Sequence, residues 1–173
     1  MKHALADQVE VHLNLLSEYT KKIMFAFSNI SGSAIEAMAR RTEKDMIALI
    51  CDSGPSSRLD TSFANLYEKS EHKNLLLSLL ARIPIFDHVW SPDGHRDISR
   101  DLKTFAEGFP VLSIRGWKDP LIPPKHIDEV FSPCKNLHWE KLSLPEAEHL
   151  NGLRDFPELY RPGVERFLAG LEK

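Results

Sequence analysis

Cysteine is scarce in this chain. Two residues in 173 are too few for a disulfide framework, so a reducing compartment is the simpler expectation. An excess of one charge is also lacking: the formal net charge of −3 gives no electrostatic case for nucleic acid. No apolar run is long enough to cross a bilayer, and the N-terminus has no signal-peptide hydrophobic region. No membrane partner is expected, and the expected location is cytoplasmic. Glycine-rich phosphate loops, paired CxxC motifs, internal repeats and low-complexity tracts are all missing, and no cofactor is expected. Asp87, His88, Asp93, His95 and Asp97 cluster in sequence, but their spacing matches no specific metal site, and no metal is expected.

What is present is a chain able to fold. Hydrophobic residues make up 42% of it, enough to bury a real core in a single domain. Ala4 to Tyr19 places Leu5, Val9, His12, Leu13 and Leu16 on one face of a helix. Four short apolar runs then read as strands: Lys21 to Phe27, Asp45 to Asp52, Pro110 to Arg115 and Leu137 to Leu142. The second is apolar throughout, as a parallel strand buried on both faces should be. Cys51 closes it as a buried thiol, while Cys134 falls in a loop. Helical segments follow the strands, at Ile35 to Arg41, Ile98 to Ala106, from Pro123 and Pro124 through Val130, and from Asp155 onward. Asp155 is read as the N-cap of that last helix, with Phe156, Tyr160, Val164, Phe167 and Leu168 on its buried side.

Chemistry concentrates at the strand exits. The run Phe109-Pro-Val-Leu-Ser-Ile-Arg-Gly116-Trp-Lys-Asp119-Pro is a buried strand ending in a turn that presents a carboxylate. Thirty residues later, Glu146-Ala-Glu-His149-Leu-Asn-Gly is a strand exit that presents an imidazole. Upstream, the first strand runs straight into Ser28-Asn-Ile-Ser31-Gly-Ser and then a helix. That is the context in which a serine is held on a sharp turn, with helical N–H groups behind it to bind an oxyanion. Ser28 is the preferred nucleophile: it directly follows the apolar run, has Ala26 two positions before it, and leaves room for a helix and loop before the next strand. Ser31, with Asn29 before and Ser33 after, is the alternative nucleophile. Both serines also suit helix N-caps. Asp52 competes with Asp119 as the acid, but its surroundings read better as a turn or cap carboxylate.

These segments resemble the α/β-hydrolase superfamily, whose members carry nucleophile, acid and histidine in that chain order. The resemblance covers nearly all of the chain. Its most specific parts are Gly116-Trp-Lys-Asp119-Pro-Leu-Ile-Pro and Ala147-Glu-His149-Leu-Asn-Gly-Leu-Arg-Asp-Phe-Pro157. The elbow Phe27-Ser28-Asn29 is similar to a branch whose elbow reads Phe-Ser-Asn-Gly-Gly; Ile30 and Ser31 stand where that branch has two glycines.

The resemblance implies a partial α/β-hydrolase fold: a mainly parallel sheet flanked by helices, forming one truncated domain over residues 1–173 with a small helical lid inserted at 58–107. It implies a Ser28-Asp119-His149 triad acting on a carboxylic ester or related acyl substrate. The Asn29 backbone N–H would serve as an oxyanion donor, and Phe86, Val89 and Trp90 of the lid would line the substrate pocket. The first strands of the family sheet, and the loop that carries its second oxyanion donor, would lie outside this chain. The Ile23 to Phe27 strand would then form an open apolar edge. The competing expectation follows: a catalytically impaired interaction protein that pairs through this edge, as a homodimer or with a complementing N-terminal half.

Overall fold

The computed structural model describes residues 4–58, 61–62, 64–65 and 94–172. Its centre is a four-stranded sheet in the order β1-β2-β3-β4, with β1 at Lys22–Phe27, β2 at Met46–Asp52, β3 at Phe109–Gly116 and β4 at Leu137–Leu144. Every pairing is parallel. A parallel sheet needs helical crossovers that cover its faces, so its inner strands are apolar on both sides. The last five residues of β2 and the last six of β3 are all buried.

Helix α1 spans Ala4–Leu15 and packs on α2, Ser31–Arg40, which makes the crossover from β1 to β2. Helix α3 is Gly94–Leu102, and α4, Pro124–Phe131, connects β3 to β4. One sheet face, with Leu49, Cys51 and Val111, packs against Ile35 and Met38 of α2, Ile98 and Leu102 of α3, and Ile127, Val130 and Phe131 of α4. The opposite face, with Ala48, Ile50, Leu112 and Ile114, is covered by Tyr160 and Phe167 of the last helix, α6, at Pro157–Gly170. A single turn, α5, Gly152–Asp155, leads into it.

The strand register sets the site. Phe27, Asp52 and Ile114 lie level across β1, β2 and β3, with Leu142 of β4 beside Ile114. The loops after all four strands therefore leave the sheet at the same end.

Several local expectations are corrected by the structure. The buried face of α1 is Ala6 and Leu13 with half-buried Val9 and Glu10, whereas Leu5, His12 and Leu16 are exposed. Glu10 and Asp7 pair with Arg40 of α2, so these charged residues take part in the packing with Ala6 and Leu13, while Leu5 and Leu16 do not. Helix α2 begins at Ser31, four residues before the expected start. Helix α3 ends at Leu102, so residues 103–106 lie beyond it. Asp155 does not cap α6: it closes α5 and holds the Arg154 guanidinium and the Asn151 amide, while Phe156 occupies the N-cap. Cys134, expected in a loop, is there but buried in the core.

Strand β1 pairs only with β2 among the described residues. Ile23, Phe25 and Phe27 point from it to one face and are 40%, 37% and 49% exposed, with the two phenylalanine rings stacked at 4.9 Å. Most of the expected lid, including Phe86, Val89 and Trp90, lies outside the described residues.

Candidate active site

Ser28 follows the last residue of β1. Phe27 is still extended at φ −124°, ψ 142°, and Ser28 then takes φ 52°. A non-glycine residue in the left-handed region costs roughly 1–2 kcal/mol. From Ser28 the chain passes directly into a 3-10 turn, Ser28–Ile30, which continues into α2. One strained residue thus converts strand into helix, and the Asn29 N–H lies in the first turn, where backbone donors have no intrahelical acceptor. Gly54, in the loop after β2, makes the turn possible: a Cβ there would come within 2.1 Å of the Ser28 carbonyl oxygen.

Asp119 sits in the turn after β3 with its side chain almost fully enclosed. One carboxylate oxygen accepts the backbone N–H groups of Leu121 at 2.8 Å and Ile122 at 2.9 Å, a local turn that aspartate favours. The other oxygen faces His149 Nδ1 at 2.7 Å. An ionised carboxylate only accepts, so Nδ1 carries the imidazole proton and Nε2 is left as the acceptor. Ser28 Oγ lies 3.0 Å from that Nε2.

His149 leaves β4 through a loop that is joined by backbone bonds to the Asp119 turn. Trp117 N–H donates to the Leu144 carbonyl, and Lys118 N–H to the Ala147 carbonyl, each at 3.0 Å. The two loops approach so closely at Gly116 that a Cβ would meet the Ala147 carbonyl oxygen at 2.4 Å. The acid and the histidine are therefore held as one piece.

Ser28, Asp119 and His149 converge in one hydrogen-bonded line. Ser31 does not join it. It is the first residue of α2 and is fully buried. Cys51 is enclosed beneath the sheet end, and burial pushes its thiol up to about 12, which removes it as a nucleophile. Among the described residues no group of three or more His, Cys, Asp or Glu side chains could hold a metal ion, and no helix is long and apolar enough to cross a membrane.

Asp52 is where the sequence reading falls short. Read as a turn or cap carboxylate, it is instead the last residue of β2 and 5% exposed, where it accepts the Tyr160 hydroxyl at 2.7 Å and the Ser53 hydroxyl at 2.9 Å. Burial raises its carboxyl above the usual range, and the hydrogen bonds from Tyr160 and Ser53 only partly offset this. The available signal was Tyr160 on a buried helix face, since a buried phenol needs a polar partner.

No protein-family model matches the chain, and no curated protein matches it in sequence. Solved structures do match. The esterase Pf2001 of Pyrococcus furiosus superposes with a TM-score of 0.70 at 18% identity, over 96% of this chain and 61% of the esterase. A thermophilic esterase from Thermogutta terrifontis superposes with a TM-score of 0.60 at 16% identity, over 100% of this chain and 74% of that one. The fold is a partial α/β-hydrolase fold. The chain spans about 60% of the length of the Pyrococcus esterase. A third α/β hydrolase, MGS-M2 from a Medee basin deep-sea metagenome library, aligns over 94% of this chain and 70% of its own, with a TM-score of 0.58 at 17% identity. Ser28 stands where β1 passes into the helical turn that opens α2, at φ 52°.

Proposed function

We propose that this chain is a serine hydrolase acting on a carboxylic ester or related acyl compound. The observation that carries the reading is the line Ser28 Oγ–His149 Nε2 at 3.0 Å and His149 Nδ1–Asp119 at 2.7 Å, starting from a serine at φ 52°. In this reading Ser28 Oγ attacks the acyl carbonyl and passes its proton to His149 Nε2. Asp119 holds the imidazole tautomer and stabilises its charged form. The Asn29 N–H donates to the developing oxyanion, a contact of a kind typically worth about 3–4 kcal/mol at the transition state. His149 then protonates the leaving alkoxide as the tetrahedral intermediate collapses to an acyl-serine. Water adds to that ester with His149 as base, releasing the acid and restoring the serine.

The surface beside the nucleophile supports an apolar substrate group. Phe27 and Ile30 flank Ser28, and Leu150 follows His149; the three are 49%, 57% and 42% exposed. The expected pocket residues Phe86, Val89 and Trp90 stay part of the proposal.

The test is labelling of the purified chain with a fluorophosphonate probe. Loss of labelling in Ser28→Ala and His149→Ala, with Ser31→Ala still labelled, supports the reading. Asp119→Asn is expected to slow labelling by about ten-thousandfold, the cost of the wrong imidazole tautomer. A folded wild type that resists the probe overturns it.

A second reading rests on the exposed Ile23, Phe25 and Phe27: an interaction protein whose β1 edge pairs with a second copy or a complementing half. An open apolar strand edge is a template for such pairing. Under this reading the wild type associates in light scattering and Phe25→Lys shifts it to monomer. A monomeric wild type rejects self-pairing.

A further inference from the structure

Three of the described non-glycine residues have positive φ: Ser28 at 52°, Ser53 at 53° and Leu150 at 56°. All three belong to one small region at the sheet end. Ser28 carries the hydroxyl that meets His149. Leu150 is the residue after His149, so its N–H belongs to the peptide that His149 itself forms. Ser53 is level with Ser28 on the neighbouring strand exit, since Phe27 pairs with Asp52.

A chain of contacts joins them. The Leu150 N–H donates to Ser53 Oγ at 3.1 Å. Ser53 Oγ donates to one Asp52 oxygen at 2.9 Å, and the Tyr160 hydroxyl donates to the other at 2.7 Å. The order of donors and acceptors is fixed by chemistry. The Leu150 N–H can only donate, so Ser53 Oγ accepts it and the Ser53 hydroxyl proton is left to reach Asp52. Tyr160 belongs to α6 and is 4% exposed, so its phenol is held rigidly by the packing of that helix on the sheet.

Resting on the hydrolase reading, we propose that Asp52, Ser53 and Tyr160 are positioning residues for His149. They hold the peptide that follows the histidine, while Asp119 holds its ring. Neither Asp52 nor its partners touch the reacting atoms. Their effect is on where the imidazole stands: Asp119 fixes the Nδ1 end, and the Ser53 bond fixes the peptide from which the ring projects. Small displacements of a base away from its nucleophile are costly, about a hundredfold in rate for 1 Å.

The variants that test this are Tyr160→Phe, which removes one oxygen from a helix residue remote from the probe, and Ser53→Ala. Two measurements are made on each. The first is the long-range nitrogen–proton NMR spectrum of the His149 ring, which reads its tautomer and averaging without any turnover. The second is fluorophosphonate labelling, resolved into probe affinity and bond-forming rate. The expected result is averaging of the His149 ring nitrogens in both variants, with bond formation slowed about ten- to a hundredfold and affinity unchanged. A His149 ring spectrum identical in wild type and both variants overturns the proposal. If the wild type is not labelled, the hydrolase reading falls, while the ring spectrum still decides the positioning role.

Discussion

The strain at Ser28 is matched by space made for it elsewhere. Gly54 has no side chain because the Ser28 carbonyl occupies the place where one would be, at 2.1 Å from a Cβ. Gly54→Ala must therefore move either the β2 exit or the elbow. The expected cost is about 1–3 kcal/mol of stability, as for other overpacked sites, read from the urea midpoint. A drop of at least about tenfold in Ser28 labelling at full folding should accompany it, because the hydroxyl moves away from His149. Unchanged labelling in a destabilised variant would show that the β2 exit yields instead. At this scale much was legible in the sequence. Ser28, Asp119 and His149 stand out because each follows an apolar run and each is a residue type with its own chemistry. Ser53 did not stand out, and Asp52 read as a turn or cap carboxylate, because serine and aspartate are ordinary turn residues; the burial of Asp52 against Tyr160, 108 residues away, and its bond from Ser53 are what suggest a positioning role.

Among the elements, the strands were the easiest to read, because burial on both faces leaves an uninterrupted apolar run. The helices were harder. In α1 the faces were assigned by the largest apolar side chains, but the helix meets α2 through Ala6 and Leu13, with Asp7 and Glu10 on Arg40. Small residues allow close approach, and charge pairs at the margin replace leucine contacts, so hydrophobicity alone pointed to the wrong stripe. In the last helix Asp155 looked like a cap because aspartate favours that position, yet Arg154 and Asn151 claim both of its oxygens. Helix α4 offers the clearest stability test. Phe131 is fully buried and packs on Trp139 at a ring distance of 5.5 Å. Phe131→Ala is expected to cost about 3–5 kcal/mol, seen as a lower urea midpoint with the slope retained. Its native-state labelling should match wild type, since α4 supports the sheet without forming part of the site.

For the whole molecule, the charges at the opposite end of the sheet contribute to the response to acid. Asp45, just before β2, is held by Lys22 at 2.6 Å and Arg41 at 3.0 Å. Burial pushes its carboxyl up, but those two cations outweigh burial and bring it below its ordinary value of 3.8. A carboxyl lowered by folding contributes stability that is present above its unfolded value and is lost as pH falls through the folded one. Asp45→Asn should therefore lower the melting temperature at neutral pH and reduce the loss seen between about pH 4 and the more acidic end of the titration. An unchanged acid profile would assign the acid sensitivity to other carboxylates. The sequence could not show this group, because Lys22, Arg41 and Asp45 meet only once β1, α2 and β2 are packed together.

Ser28 and His149 are 121 residues apart, on loops that follow the first and last of the described strands, all of which pair in parallel. Closing such a loop must wait for the intervening strands to dock, and its entropic cost is met only when they have. On the hydrolase proposal, capture of the probe at Ser28 serves as a clock for the final stage of folding. During refolding, helical signal should return first, and capture of the probe should lag until β4 is in place.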